Sequence, residues 1–235
     1  MVVRLKTAEA VARAAAAAVV ESAFKAIHER GEFRLVLAGG KTPRAAYELL
    51  ASEMRDEIDW RRVIFYFGDE RCVAPTDPAS NYRMAKEALF DPLKLQGNAV
   101  RRMAGELAPD AAAADYDAEV RGVIADHSPA FDLTLLGMGV EGHTASLFPA
   151  SPALDESNHA VASVTVPAEP PQRLTMTPVA LGSSRQIIFM VTGKEKSKAL
   201  AKVFSGGEDL PAARVAQLAP SRFLVDAAAA AKLPA

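Results

Sequence analysis

Cysteine is nearly missing: Cys72 is the only one in 235 residues. A lone thiol excludes an internal disulfide framework and a zinc site built on several cysteines, and it fits a reducing, cytoplasmic setting. Excess charge of one sign is missing too. Lys+Arg number 27 against 29 Asp+Glu, a formal net charge of −2, and no Lys/Arg block stands out, so a basic footprint for nucleic acid is excluded. Nor does any stretch approach the roughly 18–20 uninterrupted apolar residues that cross a bilayer. Arg4 and Lys6 ahead of the alanine-rich run at 14–20 superficially copy a secretory signal, but Glu9, Arg13 and Glu21 interrupt it and alanine makes a weak apolar core. Without an internal repeat, low-complexity linker or composition break, a single domain over 1–235 is expected.

What is present is alternation. From 7 to 30 the chain has neither Pro nor Gly, and Gly31 follows as a stop, which predicts a long first helix. Short apolar runs at 33–38, 63–67, 131–136, 186–191 and 223–225 read as buried strands; 161–166 is another, crowded by Pro167, Pro170 and Pro171. Helices are predicted from Pro43 to about 54, from about Asn81, over 110–126 and over 196–204, and the alanines at 227–231, opened by Asp226, suggest a short surface helix. Continuous apolar strands separated by helices indicate an α/β fold, a mostly parallel sheet flanked by helices on both faces. In such sheets ligands bind beyond the carboxyl ends of the strands. Those ends carry the unusual residues here, at 39–43, 68–71, 137–143 and 193–196.

Each of these segments has a chemical reading. Gly39-Gly40-Lys41-Thr42-Pro43 stands between a strand and a helix, where open backbone N–H groups suit a phosphate; it is not a nucleotide P-loop, because position 35 is Leu instead of Gly. The 137–142 stretch matches G-x-G-x-x-G, but Pro149 leaves no room for the long helix of a dinucleotide site. His143 follows that loop two residues after Glu141, a pairing suited to a general base with a carboxylate beside it. Asp69-Glu70-Arg71 reads either as a solvated charge run or as a site element with Arg71 on an anion; Arg173 and Lys196 share that ambiguity. His28, His127 and His159 have no metal-ligand spacing.

Five stretches in order, LAGGKTP (37–43), FGDERCVAPTDPASN (67–81), FDLTLLGMGVEGHTASLFP (131–149), QRLTMTP (172–178) and VTGKEKS (191–197), resemble the 6-phosphogluconolactonase family within the wider sugar-phosphate isomerase group. The resemblance implies hydrolysis of 6-phosphoglucono-δ-lactone in the oxidative pentose phosphate pathway, without metal or organic cofactor. The small sugar-phosphate lactone is the only partner it implies: no nucleic acid, membrane or obligate protein partner. Gly39, Gly40, Lys41 and Thr42 would cradle the phosphate, Arg173 and Lys196 would supply positive charge with Arg71 close by, and His143 would activate water. Asp69 and Asn81 match site-lining positions, with Asp69 next in line as base, and Gly139 belongs to the loop whose N–H groups would meet the oxyanion. One departure concerns Glu141, which stands where the family usually has Asp. The related amino-sugar deaminase carries a Glu five residues after its histidine; here that position is Phe148. A non-catalytic sugar-phosphate sensor is the remaining alternative, weakened by the absence of a DNA-binding extension.

Overall fold

A computed structural model describes residues 1–95, 99–206 and 210–234. Helix α1 (Ala8–Arg30) starts where the Thr7 side chain accepts from Ala10 N, and it ends at Gly31 in the left-handed region, the stop that the sequence predicts. Its buried face is built from Val11, Ala12, Ala15, Ala16, Val19, Ala23 and Ala26. Small side chains at helical spacing bring it close to the sheet, where it packs on α2 (Lys41–Ser52) and over strands β8 (Ile187–Val191) and β9 (Ser221–Asp226).

Strands β1 (Val2–Leu5), β2 (Phe33–Leu37), β3 (Val63–Phe67) and β5 (Leu133–Gly137) join β8 and β9 in a six-stranded, wholly parallel sheet of order β1-β9-β8-β5-β2-β3. Its central strands are continuously buried, with Phe33, Leu35, Leu37, Phe65, Phe67, Leu133, Leu135 and Phe189 in one core. The chain leaves β2 toward β3 and returns on its other side as β5, so strand order reverses between β2 and β5. A crevice opens at such a switch point.

A second, smaller sheet stands beside the parallel one. Strands β4 (Asp69–Arg71), β7 (Gln172–Met176) and β6 (Val161–Thr165) form a three-stranded antiparallel sheet in that order. The 161–166 run is therefore not part of the parallel sheet: β6 is largely half-exposed, and the chain turns back through the proline-rich 166–171 segment to pair with β7. Helix α5 (Pro109–Asp126) covers this hairpin, and the Asp117 carboxylate accepts from Ala160 N and Val161 N at 2.6 and 3.1 Å. A single residue separates β3 from β4. Gly68 donates to Leu37 O in the large sheet (2.9 Å) and accepts from Met176 N in the small one (2.8 Å).

After Ser80 caps it, α3 (Asn81–Ala85) runs through a widened turn at Lys86–Phe90 into α4 (Asp91–Leu93). Short helices α6 (Pro178–Gly182) and α8 (Pro211–Val215) connect strands, and α7 (Ser197–Ser205) follows a tight turn at Lys194–Lys196. The C-terminal alanines form only a 3-10 turn, Ala229–Lys232; Asp226 does accept from Ala229 N (2.7 Å) and also holds Gly193 N at 3.1–3.2 Å.

Candidate active site

The ends of β2, β3, β5 and β8, four neighbours in the sheet, deliver the four loops singled out above to one cleft of about 570 Å³. Gly39, Gly40, Lys41, Thr42, Asp69, Arg71, Gly139, His143, Arg173 and Lys196 all line it. Asn81 and Glu141 do not line it: Asn81 is buried behind Gly39, and Glu141 is exposed beside His143.

One side of the cleft is built for an anion. Helix α2 begins at Gly40 with no side-chain cap and no acidic residue in its first turn, so its first N–H groups remain open. Thr42 Oγ1 lies 2.8 Å from Thr192 Oγ1, tying this turn to the end of β8. Opposite them, Arg71 and Arg173 are direct cross-strand partners on β4 and β7. Like charges so placed repel each other. Arg173 is nearly fully buried, its guanidinium fixed by the Pro170 and Glu169 carbonyls at 2.6 and 3.2 Å. Burial first, then Arg71, shift its pKa down from the ordinary arginine value, yet a guanidinium stays charged in a protein. Arg71 Nη1 donates to Ala79 O (2.9 Å) and to Asn81 Oδ1, while its Nε is buried with no partner. Among the described residues no carboxylate forms an ion pair with Arg71, Arg173, Lys41 or Lys196, so an anion entering the cleft meets unneutralised cations.

Between the two sides stands Asp69. Its Oδ2 accepts from Ser146 Oγ (2.7 Å) and its Oδ1 from Asn81 Nδ2 (3.1 Å). Asn81 packs flat on Gly39: a Cβ there would fall inside its carboxamide, so only glycine admits the contact. Asn81 thus joins the phosphate-type turn, Asp69 and Arg71 from behind. The solvated reading of the 69–71 charge run is excluded, because Asp69 and Glu70 are buried. Glu70 accepts from Arg71 N, Asn81 N, Tyr82 N and Ser80 Oγ at 2.7–2.9 Å, closing the 72–80 loop; burial pushes its carboxyl up, partly offset by the backbone donors.

His143 faces this arrangement. Gly139 N donates to His143 O (2.9 Å), closing the loop on itself. A Cβ on Gly139 would overlap the imidazole, so the glycine forms one wall of a slot, and Phe148 stacks on the ring at 4.0 Å and 18°. Nδ1 lies 3.1 Å from Glu141 Oε2 but outside hydrogen-bond alignment. Burial holds the imidazole below the ordinary histidine pKa; Glu141 and Asp69 oppose this, and Lys196 adds to it. The ring is therefore neutral near pH 7, as a proton acceptor has to be.

Sequence reasoning overlooked Ser146, Thr192 and Glu70 as supports, and saw Phe148 only as a missing acid. Ser146 and Thr192 lie inside the quoted stretches, yet nothing in a lone hydroxyl position signals its partner. Among the described residues no group of three or more His, Cys, Asp or Glu side chains is placed to hold a metal ion, and no helix is long and apolar enough to cross a membrane.

Known proteins resemble this chain in sequence and fold. A 6-phosphogluconolactonase of Treponema pallidum is 39% identical over 201 residues, covering 83% of this chain and 81% of its own length. One from Streptomyces coelicolor is 36% identical over 239 residues, covering 96% and 92%. The crystal structure of a 6-phosphogluconolactonase from Thermotoga maritima superposes with a TM-score of 0.85 at 29% identity, covering 96% and 99%. The family model described as glucosamine-6-phosphate isomerases/6-phosphogluconolactonase matches residues 6–223. This chain belongs to that family.

Proposed function

We propose that the protein hydrolyses 6-phosphoglucono-δ-lactone to 6-phosphogluconate, the second step of the oxidative pentose phosphate pathway. The observation that carries the reading is a half-buried histidine, set in a slot between Gly139 and Phe148, that shares one cleft with Lys41, Arg71, Arg173 and Lys196. The phosphate sits on the open turn of α2 between Arg173 and Lys196, with Arg71 close by, and positions the lactone remote from the reacting carbon. His143 takes a proton from water through the nitrogen turned away from Glu141, and the water oxygen bonds to the lactone carbonyl carbon. Backbone N–H groups of the 137–143 loop meet the oxyanion, each well-placed donor worth about 3–4 kcal/mol. The bond to the ring oxygen then breaks, and the imidazolium returns its proton to that oxygen as the hydroxyl forms. An activated ester needs no covalent nucleophile. Asp69, with both oxygens engaged by Ser146 and Asn81, acts as a fixed negative wall beside the base.

The amino-sugar deaminase reading is disfavoured by Phe148, which cannot move protons, and a sensor by the poised base. The proposal covers one lactonase domain over 1–235, supported by a single core running from Val11 to Ala230. It includes a cytoplasmic setting, supported by the one free thiol, Cys72. The test is acceleration over a matched blank with freshly generated lactone. Acceleration that disappears in His143→Ala is expected; no acceleration by folded protein overturns the reading.

A further inference from the structure

We infer that Phe148 is a positioning residue for the base, a plate that holds the His143 ring in place and seals its back from water. The inference rests on His143 being the base. The imidazole has two walls. One is the bare backbone of Gly139, where a methyl group would overlap Nδ1 and Cε1. The other is the Phe148 ring, nearly parallel at 4.0 Å and only 7% exposed. Nothing else on the loop restrains the ring comparably, since Nδ1 is within 3.1 Å of Glu141 without an aligned hydrogen bond. Packing, more than hydrogen bonding, therefore fixes the direction in which the other nitrogen points.

Phe148 has a second face. It also lines a separate groove of about 470 Å³ between the 149–153 turn and strand β6. Phe148 is thus the residue that the groove and the substrate cleft share. Cutting it back joins the two spaces and admits water behind the imidazole. The charged groups around His143 are Glu141 on its own loop, Asp69 on β4 and Lys196 after β8, and the Phe148 variants leave all three in the sequence. Loss of the plate thus acts through hydration and ring freedom, and it leaves the phosphate cradle at 39–42 untouched.

The experiment compares Phe148→Leu and Phe148→Ala with the wild type in two readouts: kcat and KM against pH, and the His143 imidazole resonances by NMR against pH. Expected are a loss of roughly ten- to a hundred-fold in kcat for Phe148→Ala, a smaller one for Phe148→Leu, and KM within about two-fold. Both the acid limb and the NMR midpoint move upward, toward the ordinary histidine range, because less desolvation makes protonation easier. Unmoved NMR midpoints in a folded Phe148→Leu protein overturn the inference, as does a loss seen only in KM. The NMR titration reads the plate without turnover, so a wild type inactive on lactone sinks the lactonase reading while leaving Phe148 tested.

Discussion

A base is useful only in proportion to the fraction that is unprotonated, and at His143 burial sets that fraction. The folded pKa lies below the ordinary histidine value, so activity rises with pH through a limb on the acid side of that value and is flat at neutrality. Glu141 acts in the opposite direction. Its carboxylate raises the His143 pKa, so Glu141→Gln is expected to move the acid limb of kcat/KM to lower pH; an unchanged limb would detach Glu141 from the base. His143→Ala is expected to lower kcat by about 10²–10⁴-fold with little change in KM, as steady-state kinetics will show. Lys196→Ala is expected to do the reverse, raising KM with kcat nearly kept. Gly139→Ala has no contact to lose, but its new methyl group displaces the imidazole. A loss of about 10²-fold in kcat with unchanged circular dichroism is the expected result.

Elements differ in how far their residues announce them. Helix α1 was legible from its long stretch without Pro or Gly and its Gly31 stop, whereas its Thr7 cap was not singled out; β2, β3, β5 and β8 were legible because strands buried on both faces are mostly apolar. Thr7→Ala is correspondingly expected to cost about 1 kcal/mol in denaturant melts. Strand β4 was not legible. Three charged residues, Asp69-Glu70-Arg71, read equally as a solvated run or a site element and not as a strand, until β7 pairs with them and α3 offers its N–H groups to Glu70. Strand β1, four residues broken by Arg4, is too short to stand out, and it is defined by its parallel pairing with β9. The candidate site followed the same division. Glycines, His143 and the basic residues were visible at strand ends; the hydroxyls of Ser146 and Thr192 and the stacking of Phe148 are relations across 50 or more residues or between ring faces, which a linear pattern does not encode.

At the scale of the whole molecule the charge is close to balanced, yet the cleft gathers Lys41, Arg71, Arg173 and Lys196, none of which forms an ion pair among the described residues. Inorganic phosphate should therefore bind and stabilise the native state. At a concentration a hundred times its Kd it adds about 2.7 kcal/mol, a rise of roughly 5–11 °C in Tm for a chain of this size. Arg173→Ala is expected to abolish most of that rise in a thermal-shift titration, and high salt to weaken it. A phosphate response undiminished in the variant would place the anion elsewhere.

Gly68 joins the two sheets through one residue, bonded on one side to Leu37 and on the other to Met176. Arg71 and Arg173 ride on the small sheet, whereas His143, the 39–42 turn and Lys196 ride on the large one. A molecule held by both sets of groups is consequently a strut between two plates that the covalent chain links here by a single glycine. Amide hydrogens of β6 and β7 should then exchange more slowly with deuterium when the cleft is filled than when it is empty, while those of β5 and β8, locked in the parallel core, should scarcely change.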